Sequence, residues 1–404
     1  MKKRVVAMLL AASMVLAACG GTAAAPAAAP AEEKVEEKKE EATEAVEEAA
    51  EEVAEEAEEA TEEAEASATA MVPQYGDKIV VGFECVNYSD THLTNVRNAV
   101  NWQNEQKGNP YDIQMVDSQN DTAIQWNNIN QMLNKGCDIF ACGYNNYDNY
   151  QQLFDLAKEY DLPFITYNTN APDHEISADY LDKYYFVSSY ADGSGIIQGE
   201  AAAEYWNEHP EADRNGNGVL DYVMLRGTPG FYDTIVRTKY SVEKIEEAGI
   251  KVNEIQAIDA EFNRAKAQDL MQPVITASID DIDFVIANND DMALGAIEAL
   301  KAAGYLDGTP EKYIPVLGVD ATAVGVEAIK DGTMLVTSLN NAVYMGRAIW
   351  YAIDAFATGQ ELTTEKLEAE GLKGCKVNEF HEIWIDYTRI DASNTEMANF
   401  ENYY

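Results

Sequence analysis

Ile282-Asp283-Phe284-Val285-Ile286-Ala287-Asn288-Asn289-Asp290 decides the fold. A mostly apolar run rich in β-branched and aromatic residues predicts a strand over Ile282–Ala287. Polarity switches abruptly at Asn288. From Asp290 to Ala303 the apolar residues then recur at helical spacing, and Gly304 follows where a helix C′ residue belongs. Strand, polar turn and helix make one βα unit.

Working outward, the same unit recurs from about Lys78. Strands are expected at Lys78–Cys85, Asp112–Val116, Asp138–Cys142, Pro163–Tyr167, Tyr184–Ser188, Leu220–Leu225, Lys251–Ile255, Ile314–Val319 and Met334–Ser338. Most of the gaps carry helical patterns such as Ile124–Leu133, and Gly249 and Gly332 again suit C′ positions. Alternating β and α implies an α/β fold with parallel sheets covered by helices on both faces. The chain has 404 residues, more than one core usually serves, so two lobes are expected. No internal repeat is visible in the sequence.

The N-terminal part reads differently. Lys2, Lys3 and Arg4 precede an apolar run, Val5–Ala17, that is too short for a permanent bilayer span. It ends in Leu16-Ala17-Ala18-Cys19-Gly20, which resembles a bacterial lipobox. That resemblance implies a signal peptide over residues 1–18, lipidation of Cys19 and an extracytoplasmic location on the outer face of the cell membrane. Residues 32–65 hold 18 glutamates against three lysines, a local charge of −15, and too little apolar surface to pack. Residues 19–75 are therefore expected to be an acidic tether. The whole chain carries −43, which excludes a nucleic-acid partner because a phosphate backbone needs clustered Lys and Arg. Cys85, Cys137, Cys142 and Cys375 remain. The first three sit in or beside strand-like runs, where Cys acts as a small hydrophobe. An even count permits disulfides, and free buried thiols are the favoured expectation.

In open parallel sheets, ligands bind beyond the carboxyl ends of the strands. Asp90 lies shortly after the first strand and Asn168 directly after Tyr167. Asp233 and Arg237 follow the turn Gly227-Thr228-Pro229-Gly230. Asn289 follows Ala287 and Asn288, Asp320 follows Val319, and Asn340 comes just after Ser338. Taken singly, each Asp or Asn is as well read as a helix N-cap. Taken together they are the carboxylates and amides that a ring of sugar hydroxyls requires.

From about Lys78 to Gly359 the chain resembles the bacterial galactose/glucose-binding proteins, which are type I periplasmic binding proteins. The resemblance is carried by Asp117-Ser118-Gln119-Asn120-Asp121, Ser194-Gly195-Ile196-Ile197-Gln198-Gly199, Val285–Asp290, Gly295–Lys301 and Leu317-Gly318-Val319-Asp320-Ala321. It implies two Rossmann-like lobes joined by a three-strand hinge, with residues 76–188 plus 342–384 in one lobe and 189–341 plus 385–404 in the other. Asp90, Asn168, Asp233, Arg237, Asn289, Asp320 and Asn340 match the family's hydrogen-bonding positions. Three positions depart. His92 and Phe262 stand where the family stacks the sugar between Phe and Trp, and Phe231 stands where it has a hydrogen-bonding His. Core packing is the alternative role for Phe231 and Phe262.

Asp213-Arg214-Asn215-Gly216-Asn217-Gly218-Val219-Leu220-Asp221 places oxygen ligands at positions one, three, five, seven and nine of an EF-hand-like loop, with the Val219 carbonyl at seven. An Asx-Gly turn fits the same spacing. Position twelve is Met224, so the usual acid is missing there. The family resemblance supplies it from a distance, at Asp283, and implies a structural calcium ion.

The function expected is a monomeric, lipid-anchored receptor that binds a galactose- or glucose-like monosaccharide between its lobes and delivers it to an ABC permease, without catalysis. A glycoside hydrolase is the alternative, since such enzymes need only two placed carboxylates. However, no GxSxG, HExxH or P-loop motif is present. A sugar-responsive transcription regulator is disfavoured by the acidic charge and the export signal.

Overall fold

Alternate residues of a strand go to opposite faces, and in the inner strands both faces are buried. In β1 (Ile79–Cys85), Ile79, Val81, Phe83 and Cys85 enter one hydrophobic cluster while Val80 enters another. A strand sandwiched in this way has no polar face, which is why these segments read as unbroken apolar runs. The computed structural model describes residues 70–143, 150–169 and 171–404, all within one compact unit, Ala66–Tyr404. The expected signal peptide, Cys19 and the tether up to residue 69 lie outside the described residues.

The first half of the described chain runs β1, α1 (Thr91–Gln106), β2 (Tyr111–Asp117), α2 (Thr122–Lys135), β3 (Ile139–Cys142), α3 (Tyr150–Tyr160), β4 (Phe164–Tyr167), α4 (His174–Ser177) and β5 (Tyr184–Ser189). The second runs α5 (Ala191–Glu208), β6 (Leu220–Arg226), α6 (Tyr232–Glu247), β7 (Val252–Asp259), α7 (Arg264–Ser278), β8 (Phe284–Ala287), α8 (Asp290–Ala302), β9 (Val316–Val319), α9 (Ala323–Lys330) and β10 (Val336–Leu339). The chain then returns through α10 (Ala342–Thr358), α11 (Thr364–Ala369), β11 (Lys376–Val377), β12 (Glu382–Ile385) and β13 (Thr388–Ile390).

Two sheets result. One has seven strands in the order β11-β12-β5-β4-β3-β1-β2, the other six in the order β13-β10-β9-β8-β6-β7. All neighbours are parallel except β11 with β12 and β10 with β13. This is the expected pair of α/β lobes. All ten expected strands are present. β7 runs four residues beyond its expected end because it is an edge strand, and its exposed Glu254 and Gln256 hide the pattern that a buried strand shows. Sequence reading missed β11, β12 and β13, which are too short to carry a period of their own.

The chain passes from one lobe to the other after β5, between β10 and α10, and between β12 and β13. Ser189 and Ile385 pair with each other in the first sheet. The first and last crossings therefore fall one residue beyond the boundaries expected at 188/189 and 384/385. Helix ends follow local chemistry. Asp90, Asp121, Asn289, Thr322 and Asn341 each accept a backbone N–H of the first turn. Gly304 and Gly332 close α8 and α9 in the left-handed region, with φ of 84° and 69°. The four cysteines in the described residues are free and buried.

Candidate functional site

The strand ends of the two sheets face one cavity, of about 50 Å³. Asp90, His92, Asn168, Phe231, Asp233, Arg237, Phe262, Asn289, Asp320 and Asn340 all line it. The capping role and the lining role coincide at two of them. Asp90 accepts from Leu93 N at 2.8 Å and Asn289 from Met292 N at 3.0 Å, yet both reach the cavity. A capping oxygen satisfies a helix end while leaving the rest of the side chain to face outward.

Backbone strain helps to aim the others. Asn168, Phe262 and Asp320 have φ of 74°, 58° and 108°. Non-glycine residues persist there only where the surroundings hold them, and such positions cluster at functional sites.

Arg237 is the only cation among the described residues that line the cavity. It is 5% exposed and donates from Nη1 to Asn288 O at 2.9 Å and from Nη2 to Asp233 Oδ1 at 2.8 Å and the Tyr387 hydroxyl at 3.1 Å. Burial opposes its charge, but Tyr387, Asp233 and Asp320 hold its pKa above the ordinary value. Burial pushes the carboxyls the other way. Asp90 rises to about 6, Asp320 well above the usual range, and Asp233 also upward, each through burial and each opposed by Arg237.

His92 is neutral, since burial and the nearby Arg237 push its pKa down to about 3. The 3.9 Å approach of its Nδ1 to Asp320 is therefore not an ion pair. Asn340 ties the network together. Its amide nitrogen lies 3.3 Å from His92 Nε2 and 3.4 Å from Asp320 Oδ1, and its carbonyl oxygen accepts from Ser189 Oγ at 2.9 Å. Two buried atoms of lining residues, His92 Nδ1 and Arg237 Nε, have no hydrogen-bond partner among the described residues. Leaving such an atom unpaired costs about 1–3 kcal/mol.

Phe231 and Phe262 stand together with ring centroids 6.3 Å apart. Phe262 also packs against the core of its lobe, the alternative role weighed for it, while it lines the cavity. The lobes meet directly through Asn120 Nδ2 and Thr228 Oγ1 at 3.3 Å and through Thr91 N and Asp291 Oδ2 at 3.3 Å.

Sequence reading missed the lining residues Asn87, Asn120, Thr169 and Glu261. Asn120 and Glu261 sit in loops with φ of 57° and 55°, where a run of left-handed residues is the only signal and it is visible only in three dimensions. Tyr387 was missed too. It lies in the third crossing, beyond the stretch that carried the family resemblance.

The Asp213–Asp221 loop folds on its own oxygens. Asp213 accepts from Asn217 N and Gly218 N at 3.1 and 2.9 Å. Asn217 Oδ1 accepts from Val219 N at 2.7 Å. Asp221 Oδ2 accepts the amides of Asn215 and Asn217 at 3.0 and 2.8 Å. Asp283 is fully buried beside the loop and accepts from Arg214 N and Asp221 N, each at 2.9 Å. Its pKa rises to about 6, first through burial and then through Asp221 and Asp213. The loop and Asp283 hold three carboxylates and two amides, but the carboxylate oxygens accept N–H groups of the loop, and among the described residues no three His, Cys, Asp or Glu side chains stand close enough together to hold a metal ion.

The periplasmic binding protein domain matches residues 81–361. The chain is similar to the D-galactose/methyl-galactoside binding periplasmic protein MglB of Haemophilus influenzae, 30% identical over 284 residues, 70% of this chain and 83% of that one. It is also similar to the ribose import binding protein RbsB of Escherichia coli, 28% identical over 227 residues, 56% of this chain and 68% of that one. An ABC transporter solute binding protein from Bacillus halodurans, solved with bound myo-inositol, superposes with a TM-score of 0.65 at 24% identity, covering 82% of this chain and 100% of that one. Fold and cleft together define a two-lobed solute receptor. The chain belongs to the type I periplasmic sugar-binding protein family, whose members are transport receptors and not enzymes.

Proposed function

We propose that the cavity binds a galactose- or glucose-like monosaccharide and that the chain delivers it to an ABC permease as a monomeric extracytoplasmic receptor. One observation carries this reading: carboxylates, amides and a single guanidinium converge on one cavity beside a Phe pair. Carboxylates and amides accept and donate to hydroxyls, and charged partners make the stronger bonds. The Phe231–Phe262 pair offers apolar faces for the C–H surface of the ring, with His92 contributing from the other lobe. His92 Nδ1 and Arg237 Nε gain the partners they lack if hydroxyls come within reach. Because both lobes supply groups, binding favours the arrangement in which they meet, the form a permease can distinguish.

Two finer parts belong to the same proposal. Cys19 is the lipidated residue, and the acidic segment after it spaces the receptor from the membrane. The Asp213–Asp221 loop with Asp283 holds a structural calcium ion, with Asp213, Asn215, Asn217, the Val219 carbonyl, Asp221 and Asp283 as ligands.

A thermal-shift panel of monosaccharides, galactose and glucose first, tests the sugar reading. Ligand that binds only the folded state raises the melting temperature. If no sugar shifts it at millimolar concentration, the proposal fails.

A further inference from the structure

Beside the cavity, toward the chain crossings, lies a second and more open groove. Both lobes build it: Trp384 and Asp173 come from the first, Tyr232 from the second, and Ser189, Tyr190 and Asp192 from the crossing between them. Tyr190 lies flat against Trp384, with ring centroids 4.0 Å apart and planes within 7°, and it is 45% exposed. Trp384 is held from behind, donating from Nε1 to the buried Glu382 at 3.0 Å. Asp173 and Asp192 each use one carboxylate oxygen on a backbone N–H, of Glu175 and Gly193 respectively.

The groove shares a partition with the cavity. Ser189 lines the groove and donates to Asn340, which lines the cavity, at 2.9 Å. Phe231 and Tyr232, neighbours in sequence, divide the same way. A planar aromatic wall with carboxylates at its rim is what a second sugar ring needs: an apolar face to stack on and acceptors for hydroxyls. An isolated apolar groove would not commit to this chemistry, but this groove is joined to a sugar-type cavity through the Ser189–Asn340 hydrogen bond.

We propose that the groove is a saccharide subsite for the ring linked to the sugar in the cavity, so that the protein takes glycosides and disaccharides as well as free monosaccharide. This rests on the sugar reading above. The linkage passes where Ser189 meets Asn340, and that hydrogen bond opens to admit it.

Calorimetric titration of the full chain tests the proposal. The ligands are the monosaccharide that gives the largest thermal shift and disaccharides carrying it at the non-reducing end. At least one disaccharide is expected to bind within tenfold of the monosaccharide, at one per chain. Trp384→Ala is expected to weaken the disaccharide at least tenfold while changing monosaccharide affinity less than twofold. Tyr190→Ala, at an exposed position, repeats the test should the Trp384 variant lose its fold. If monosaccharide binds and every disaccharide is rejected, the subsite does not exist. Equal effects of the variants on both ligands, or two monosaccharides bound per chain, also overturn it. If no monosaccharide binds to the unsubstituted chain, the sugar reading itself has failed, which is a different result.

Discussion

The Phe262 ring lies so close over Gly227 that a Cβ built on Gly227 would fall inside it. The contact joins the turn after β6 to the loop after β7 and fixes the aromatic wall of the cavity. Gly227→Ala is expected to push the ring away and weaken sugar binding by about tenfold, or ~1.4 kcal/mol. Calorimetry alongside a thermal melt checks this. A fall in melting temperature with unchanged affinity would reduce Phe262 to a core residue.

Arg237 offsets the buried carboxylates around it, so its removal costs more than its own bonds. Arg237→Met leaves Asp233, 7% exposed, without its partner. Breaking a buried pair in this way costs about 3–5 kcal/mol, less whatever Asp233 recovers by taking a proton. Loss of sugar binding should accompany it. Tyr387→Phe removes a single hydrogen bond to the same guanidinium and should cost about 1 kcal/mol. Urea unfolding of both variants gives the comparison, and similar losses for the two would show that Arg237 does not balance the charges.

Glu84 provides a pH test inside the first lobe, away from the cavity. It is fully buried, accepts hydrogen bonds from Ser118 Oγ, Gln125 Nε2 and Cys142 Sγ, and has its pKa pushed by burial from 4.5 to about 7. Between those values the folded chain holds a proton that the unfolded chain has lost. Its contribution is therefore present below pH 4.5 and is lost as pH rises through 7, on the order of 3 kcal/mol in all. Glu84→Gln removes this dependence. Relative to the unsubstituted chain, the variant should gain stability between pH 5 and pH 8. Asp290, also raised to about 7, titrates in both proteins and cancels in the difference. Parallel stability curves from denaturant titrations would contradict the assignment.

Chelation addresses the loop at Asp213–Asp221. A cation bound only by the folded state adds stability that EDTA removes. EDTA should lower the melting temperature by several degrees, calcium should restore it, and Asp213→Ala should lose the response. A melt that ignores EDTA removes calcium from the proposal.

Much of this was legible because strands buried on both faces announce themselves, and so do the polar residues that end them. The sequence alone could not separate a helix cap from a site residue, since Asp90 and Asn289 are both. Asn288 is the contrasting case. It follows β8 as directly as Asn289 does, but it turns into the protein and accepts from Gly227 N at 3.1 Å and Thr238 Oγ1 at 3.2 Å. Trp384 and Tyr387 were out of reach of sequence reading. Trp384 sits on a strand of four residues and Tyr387 in the link to one of three, and their meaning depends on partners far along the chain, such as Ser188 opposite Trp384.

The three passages between the lobes bear on how the chain is made as well as on how it moves. β12 takes its place beside β5 and β13 beside β10, so both sheets wait for Glu382–Ile390 before their order is complete. A ribosome makes those residues after every other strand of the two sheets. Neither sheet is complete before they emerge, and a chain cut after Gly359 would leave two sheets each with a newly exposed edge, a surface that invites aggregation.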